Sequence, residues 1–390
     1  MSGSAHDPGI ALSPEGYPIF SDSERARRWA LVRDAMDQVG ASSLVCYGAD
    51  RAGSVIEWLT GWPVTREAAI VRCGNDEPTL FVQHANHVPN ATRVALGATV
   101  AWGGVSTFES VARHIDEAGG PRGRIAAIGP WPAAAQARLG DAIRLGDAYT
   151  RMRLVKSPEE VAFLVRGAQL TDRAVENLQE HAAPGMTEIE CSALLEAAYL
   201  AQGGTNHIHY LCSTPMDAPK RIVPSQWPSF RRIATGDALV CEVSASFFGY
   251  AGQLLRTFSV GADPTPEYRA LHEAAEEAFA SIAAAAVPGA TVADLRRAAS
   301  VLERSGLTTC DDVVHGFGGG YLPPLIPGGG RSGGTPDDFV LEERMTFVIQ
   351  PNPVDASGAR GVQSGELGIV TADGWRSLHG FPRGIGSIGR

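Results

Sequence analysis

Two stretches of the chain, about 100 residues apart, carry the same local pattern. PGMTEIECSALLEAAYLAQGG (184–204) and PGATVADLRRAASVLERSG (288–306) each place a Pro-Gly turn before a threonine, then an acid three residues on, a helical run and a glycine stop. The threonine hydroxyl can cap the new helix while the acid, Glu190 or Asp294, reaches back to the threonine amide, so each stretch is a capping box. Each follows a longer helical pattern, and each is followed by strand-like segments. Two helices plus strands, occurring twice, predict an internally duplicated α+β domain. Helices would lie on one side and a curved, mostly antiparallel sheet on the other, with a site in the concavity between the halves.

The residues ahead of the duplication read as a separate alternating α/β block. SDSERARRWALVRDAMDQVG is a helix with its own capping box from Ser21 to Glu24, SSLVCYG a buried strand, and AAIVRC with PTLFVQ a hairpin around GNDE. ATVAWGG, a helix near Phe108–Glu117 and RIAAIG follow. The second block opens at RLVKSPEEVAFLV, where Ser157, Pro158 and Glu160 start a helix. The expected domains are therefore 1–153 and 154–390.

The formal net charge of −10 leaves no basic excess to displace counterions, which argues against nucleic acid as a partner. No apolar run reaches the roughly 18–20 residues that cross a bilayer, and MSGSAHDPGIALSPEGYPIF reads as a loose polar arm rather than a secretory signal. Six scattered cysteines without a CxxC pair read as reduced thiols, so a cytoplasmic location is expected.

Candidate chemistry sits in the strand-like segments. His207 and His209, two apart, face the same way if their strand is regular, as a metal pair or as substrate contacts. GDALVCEVSASFFGYAGQLLRTFSVG is a strand, a turn near Phe248-Gly249-Tyr250 and a return strand. Glu242 lies among apolar neighbours in the first strand and needs a partner, Arg256 being one option. Gln253 lies in the second strand. In DDVVHGFGGGYLPPLIPGGGRSGG, His315 stands at the mouth of a strand before glycines that suit close ligand approach or a mobile lid. That loop lacks the Lys-Ser/Thr ending of a phosphate-binding P-loop. MTFVIQPNPV ends a strand on Gln350, and GARGVQSGELGIVTADG carries Gln363 and Glu366. Trp227 and Tyr321 are further candidates for substrate contact.

The R-x-x-K-S-P-E-E helix, the hairpin ending GY…RTF, then VHGFG, MTFVIQP and GVQ…GIVTADG occur in one order. With EWLTGW (57–62) in the first block, they make the whole chain resemble the creatinase/prolidase/aminopeptidase P superfamily, the pita-bread fold. The resemblance implies a creatinase-like N-terminal domain, a homodimer, and, in metallopeptidase members, five metal ligands: Asp, Asp, His, Glu, Glu. At those positions this chain has Glu242, Gln253, His315, Gln350 and Gly365, with Glu366 one residue out of register. Neutral amides and a glycine offset no metal charge, so the expectation is a pocket with no metal and no cofactor, holding a polar organic ligand.

Creatinase supplies a metal-free precedent in that superfamily, and TREAAIV places Arg66 where its carboxylate-gripping arginine lies. The segment of its catalytic histidine corresponds to VPSQWPSF, which has none. The expected activity is metal-independent hydrolysis of a non-peptide C–N bond in a small carboxylate-bearing compound. In that reading His315 shuttles the proton, Glu242 or Glu366 assists, and Arg66, His207, His209, Gln253, Gln350 and Gln363 hold the substrate. The alternatives are a metal-dependent Xaa-Pro aminopeptidase or dipeptidase with altered ligands, and a non-catalytic binding module or lyase. Neither nucleic acid nor membrane is expected as a partner.

Overall fold

The computed structural model describes residues 9–49, 55–119 and 124–389, so the first eight residues of the polar arm lie outside the described residues. The chain falls into two compact units, Gly9–Arg153 and Leu154–Arg390. No helix among the described residues is long and apolar enough to cross a membrane. No disulfide occurs among them: five cysteines are buried thiols, and Cys310 is an exposed one.

The first unit holds a six-stranded sheet. Its strands are β1 Ser43–Ala49, β2 Glu67–Cys73, β3 Thr79–Val82, β4 Thr99–Trp102, β5 Ile125–Ile128 and β6 Ile143–Arg144, in the order β4-β3-β2-β1-β5-β6. The period-2 pattern of the strands builds two cores. Leu44, Cys46, Ala68 and Ile70 pack with Trp29, Val32 and Met36 near helix α1 (Asp22–Gln38). Val45, Tyr47, Ala69 and Val71 pack with Phe108, Val111 and Ile115 of helix α2 (Thr107–Glu117).

The second unit shows the duplication directly. Helices α3 (Pro158–His181) and α4 (Glu188–Tyr199) precede the first set of strands, and α5 (Pro266–Ala285) and α6 (Val292–Ala299) the second. Both expected capping boxes form. Glu190 N–H donates to Thr187 Oγ1 at 3.1 Å and Asp294 N–H to Thr291 Oγ1 at 3.4 Å, with the return bonds in place. Each cap threonine also makes an isolated antiparallel bridge, Thr187 to Arg232 and Thr291 to Val340.

The strands are β7 Gly204–Pro215, β8 Asp237–Phe247, β9 Leu254–Val260, β10 Asp312–Phe317, β11 Tyr321–Pro327, β12 Thr346–Ile349, β13 Gly365–Thr371 and β14 Gly374–Ser377. They belong to one ten-stranded, curled, mostly antiparallel sheet that runs β8-β9-β13-β12-β10-β11, with β7 beside β8 and β14 beside β13. β8 returns towards β9 through a two-residue turn in which Phe248 and Gly249 both have positive φ, 46° and 83°, as a tight hairpin of this hand requires. The halves of the sheet meet where Leu254 pairs with Glu366 and Leu255 with Gly365.

Two expectations need correction. The glycines after His315 do not form an open lid, because β10 turns through Gly318–Gly320 straight into β11, with Phe317 paired to Tyr321. Strand β7 is not regular either: its register against β8 slips between Ser244 and Ala245, leaving His207 unpaired opposite the step. Such a bulge breaks the alternation that would have put His207 and His209 on one face.

Candidate active site

The junction of the two half-sheets gathers most of the predicted polar residues. Glu242, on β8, pairs with Leu255 of β9 and Tyr210 of β7. Gln253 immediately precedes β9 and donates its Nε2–H to Glu242 Oε1. Its backbone N–H donates to His379 Nε2 at 3.2 Å, and His379 Nδ1 lies 2.7 Å from Asp172 Oδ1. That chain fixes His379 with its proton on Nδ1 and anchors Gln253 from behind. His315, on β10, is buried with Nε2 3.2 Å from Gln350 Oε1, and its ring centroid lies 4.9 Å from that of Tyr321 and 5.7 Å from that of Phe317.

Burial, and then the charge of Asp311, push the Glu242 carboxyl up to about 7, against the Gln253 hydrogen bond. Burial pulls His315 down to about 4, against the Gly316 backbone and Gln350. At neutral pH the histidine is therefore uncharged, while the glutamate lies near its titration midpoint. Burial, followed by Glu242 and other nearby groups, raises the Tyr321 phenol to about 12.

The other predicted residues are distributed as follows. His207 stacks edge-on to Phe317, 5.6 Å between centroids, and Phe317 in turn meets His315, so the bulge brings His207 to the cluster. His209 goes elsewhere: it is buried against α4, with Nε2 3.1 Å from the Tyr199 hydroxyl. Glu366 is buried in an ion pair with Arg256 and lies 3.5 Å from Arg383, so its carboxylate is already engaged. Arg256 therefore serves Glu366, not Glu242. Gln363 donates Nε2–H to Asp311 Oδ2 at 3.1 Å. Trp227 is 87 % exposed in the loop between β7 and β8, and Tyr321 is exposed. Arg66 is exposed just before β2 of the first unit.

The sequence reading missed Asp311. It stands one residue before β10, accepts hydrogen bonds from Gln363 and Asn352, and supplies the charge that disfavours ionisation of Glu242. The Asp-Asp pair at 311–312 was the available signal, but Asp312 points to Arg331 and nothing in the spacing separates the two.

The sequence profile of metallopeptidase family M24 matches residues 163–375, more than half of the chain and all of the cluster just described except His379. The chain belongs to metallopeptidase family M24. A probable dipeptidase PepE of Mycobacterium bovis is 28 % identical over 246 residues, 60 % of this chain and 61 % of that protein. A Xaa-Pro dipeptidase of Pyrococcus furiosus is 25 % identical over 236 residues, 60 % of this chain and 66 % of that one. These matches thus span about three fifths of the length of the curated relatives. The solved Xaa-Pro dipeptidase of Bacillus anthracis superposes with a TM-score of 0.76 at 20 % identity, covering 93 % of this chain and all of that one, which shows the pita-bread fold.

These relatives overturn one expectation. The M24 match and the dipeptidase names of its members replace metal-independent, creatinase-like hydrolysis of a non-peptide bond, and favour the peptidase alternative.

Membership of M24 also implies a metal centre, and the residues present do not fit the five-ligand, two-metal form of it. Of the corresponding positions, Gln253 and Gln350 are neutral amides. A Cβ built on Gly365 would lie 2.6 Å from the Ile349 carbonyl oxygen and 2.7 Å from Gln350 Cβ, so this packing has no room for a side chain there. Among the described residues no group of three or more His, Cys, Asp or Glu is placed to hold a metal ion.

Proposed function

We propose that the chain hydrolyses the C–N bond of short peptides, with Xaa-Pro dipeptides as the first substrate class to test. The observation that carries this reading is the M24 match over 163–375, because that interval contains Glu242, Gln253, His315, Gln350 and Gln363. Glu242, close to half-ionised at neutral pH, takes or returns a proton at Oε2 during bond cleavage. His315, uncharged and bonded to Gln350, holds the amide so that its NH2 can face a developing negative oxygen. Asp172 and His379 keep the Gln253 backbone fixed while its side chain orients the Glu242 carboxyl. A dipeptide ends in a carboxylate, and we assign Arg66 to it. We further propose that this grip forms across a homodimer, the guanidinium binding the two oxygens side by side.

The test is proline release from Ala-Pro by the purified, chelator-treated full-length protein, alone and with Mn²⁺ or Co²⁺ added back. Release in either condition, reduced at least a hundredfold in Glu242→Gln and His315→Ala, is the expected result. No release from any dipeptide in any of these conditions refutes the peptidase reading in favour of a binding module.

A further inference from the structure

A second polar cluster lies in the first unit, on the face of its sheet that packs against α1. Arg72, on β2, pairs with Leu44 of β1, and directly paired residues share a face. Leu44 packs with Trp29, Val32 and Met36, so Arg72 also turns towards that helix. Its guanidinium carbon lies 5.4 Å from the centre of the Trp29 ring. Arg33 follows Trp29 by one turn of α1, on the same stripe of the helix. Arg72 is only 8 % exposed, yet its Nε is buried without a hydrogen-bond partner, as is the indole Nε1 of Trp29. Ser42, two residues before Leu44 and so the diagonal neighbour of Arg72, has its hydroxyl buried without a partner too. Among the described residues no carboxylate forms an ion pair with Arg33 or Arg72. Burial, and then the positive charge of Arg33, hold the Arg72 guanidinium below its ordinary range, against the charge of Asp76. The two arginines are thus close enough to repel each other.

We infer that this corner of the first unit is a binding site for a phosphate group. A buried charge is almost always paired, and two neighbouring guanidiniums without a carboxylate call for an anion supplied from outside. Arg72 and Arg33 bring two positive charges and a fork of N–H donors each, and the Trp29 indole and the Ser42 hydroxyl add two neutral donors. A phosphate carries close to two negative charges at neutral pH and several strong acceptor oxygens. That matches this donor set better than the single charge of a carboxylate. Water accepts the same hydrogen bonds but offsets no charge, and a metal ion is repelled by both arginines. Asp76, near Arg72 but not paired with it, weakens the hold on any anion. The site lies outside residues 163–375, so the inference does not rest on the peptidase reading.

Calorimetric titration of the full-length protein, in phosphate-free buffer at fixed ionic strength, tests this with inorganic phosphate, methyl phosphate and acetate. The expected result is binding of phosphate about tenfold tighter than that of acetate. Arg72→Met should abolish phosphate binding, and Arg33→Ala should weaken it about tenfold. Asp76→Asn should tighten it, because a repelling charge is removed. Arg33 and Asp76 are exposed, so their variants decide the matter if Arg72→Met does not fold. A purely structural Arg72, covering the Trp29 ring, predicts no phosphate binding in any of these forms. Phosphate bound no more tightly than acetate, or bound equally by wild type and Arg33→Ala, overturns the inference. Methyl phosphate bound as tightly as inorganic phosphate assigns the site to phosphorylated compounds, and inorganic phosphate alone assigns it to the free ion; both results support the site.

Discussion

Glu242 should make the protein less stable as the pH rises through the weakly acidic range. The carboxyl titrates at its ordinary value of 4.5 in the unfolded chain and at about 7 in the folded one, chiefly because burial disfavours the charge. Below 4.5 both states hold the proton and the residue costs nothing. Between 4.5 and about 7 the unfolded state releases its proton first, so unfolding becomes progressively easier. Above about 7 both states are ionised and the full penalty is in place. At about 1.4 kcal/mol per pH unit, that interval corresponds to a loss of about 3 kcal/mol. Replacing the acid by its neutral isostere removes this titration. Urea unfolding of wild type and Glu242→Gln, measured from pH 4.5 to pH 8, should show the variant gaining on the wild type by about 3 kcal/mol across the series. A gap that stays constant to within about 0.5 kcal/mol would show that the carboxyl is not held off its ordinary value, and the proton-transfer role given to it would fall as well.

Gly365→Ala should lower stability by about 1–3 kcal/mol, read as a drop in calorimetric Tm, because the new methyl meets the Ile349 carbonyl and the Gln350 backbone rather than a flexible side chain. Glu366→Gln leaves Arg256 buried without its counter-charge and should cost about 3–5 kcal/mol in urea unfolding. The pH profile of any peptidase activity should not shift, since what displaces Glu242 and His315 is burial, with Asp311, Gln253, Gly316 and Gln350, rather than Glu366. Thr187→Ala and Thr291→Ala should each cost about 1 kcal/mol, and the double variant about the sum, because the two caps open helices in separate halves of the duplication.

The parts of this structure legible in the sequence are those set by local chemistry. The two threonine caps, the Ser157 box and the Phe248-Gly249 turn are each decided within a few residues, and each forms as the sequence implies. The residues misread are those whose surroundings come from distant strands. A bulge against Ser244 and Ala245 separates His207 from His209, and no alternation within β7 itself announces it. Glu366 looked like a slipped substitute for a lost acid. Its pairing with Leu254 and its capture by Arg256 depend on how the two halves of the sheet meet. Asp311 gains its importance only from proximity to Glu242, about 70 positions earlier in the chain.

Glu188 bears on how the loop around Trp227 can vary in this fold. This fully buried carboxylate at the start of α4 accepts from the backbone and hydroxyl of both Ser213 and Ser229, and also from Arg221. It clasps the loop that carries Trp227 at one point on the sheet. Insertions or deletions between Pro215 and Ser229 would alter what that indole meets without disturbing the pairing of β7 with β8. The segment is thus a replaceable module, free to change in sequence while its anchorage stays the same.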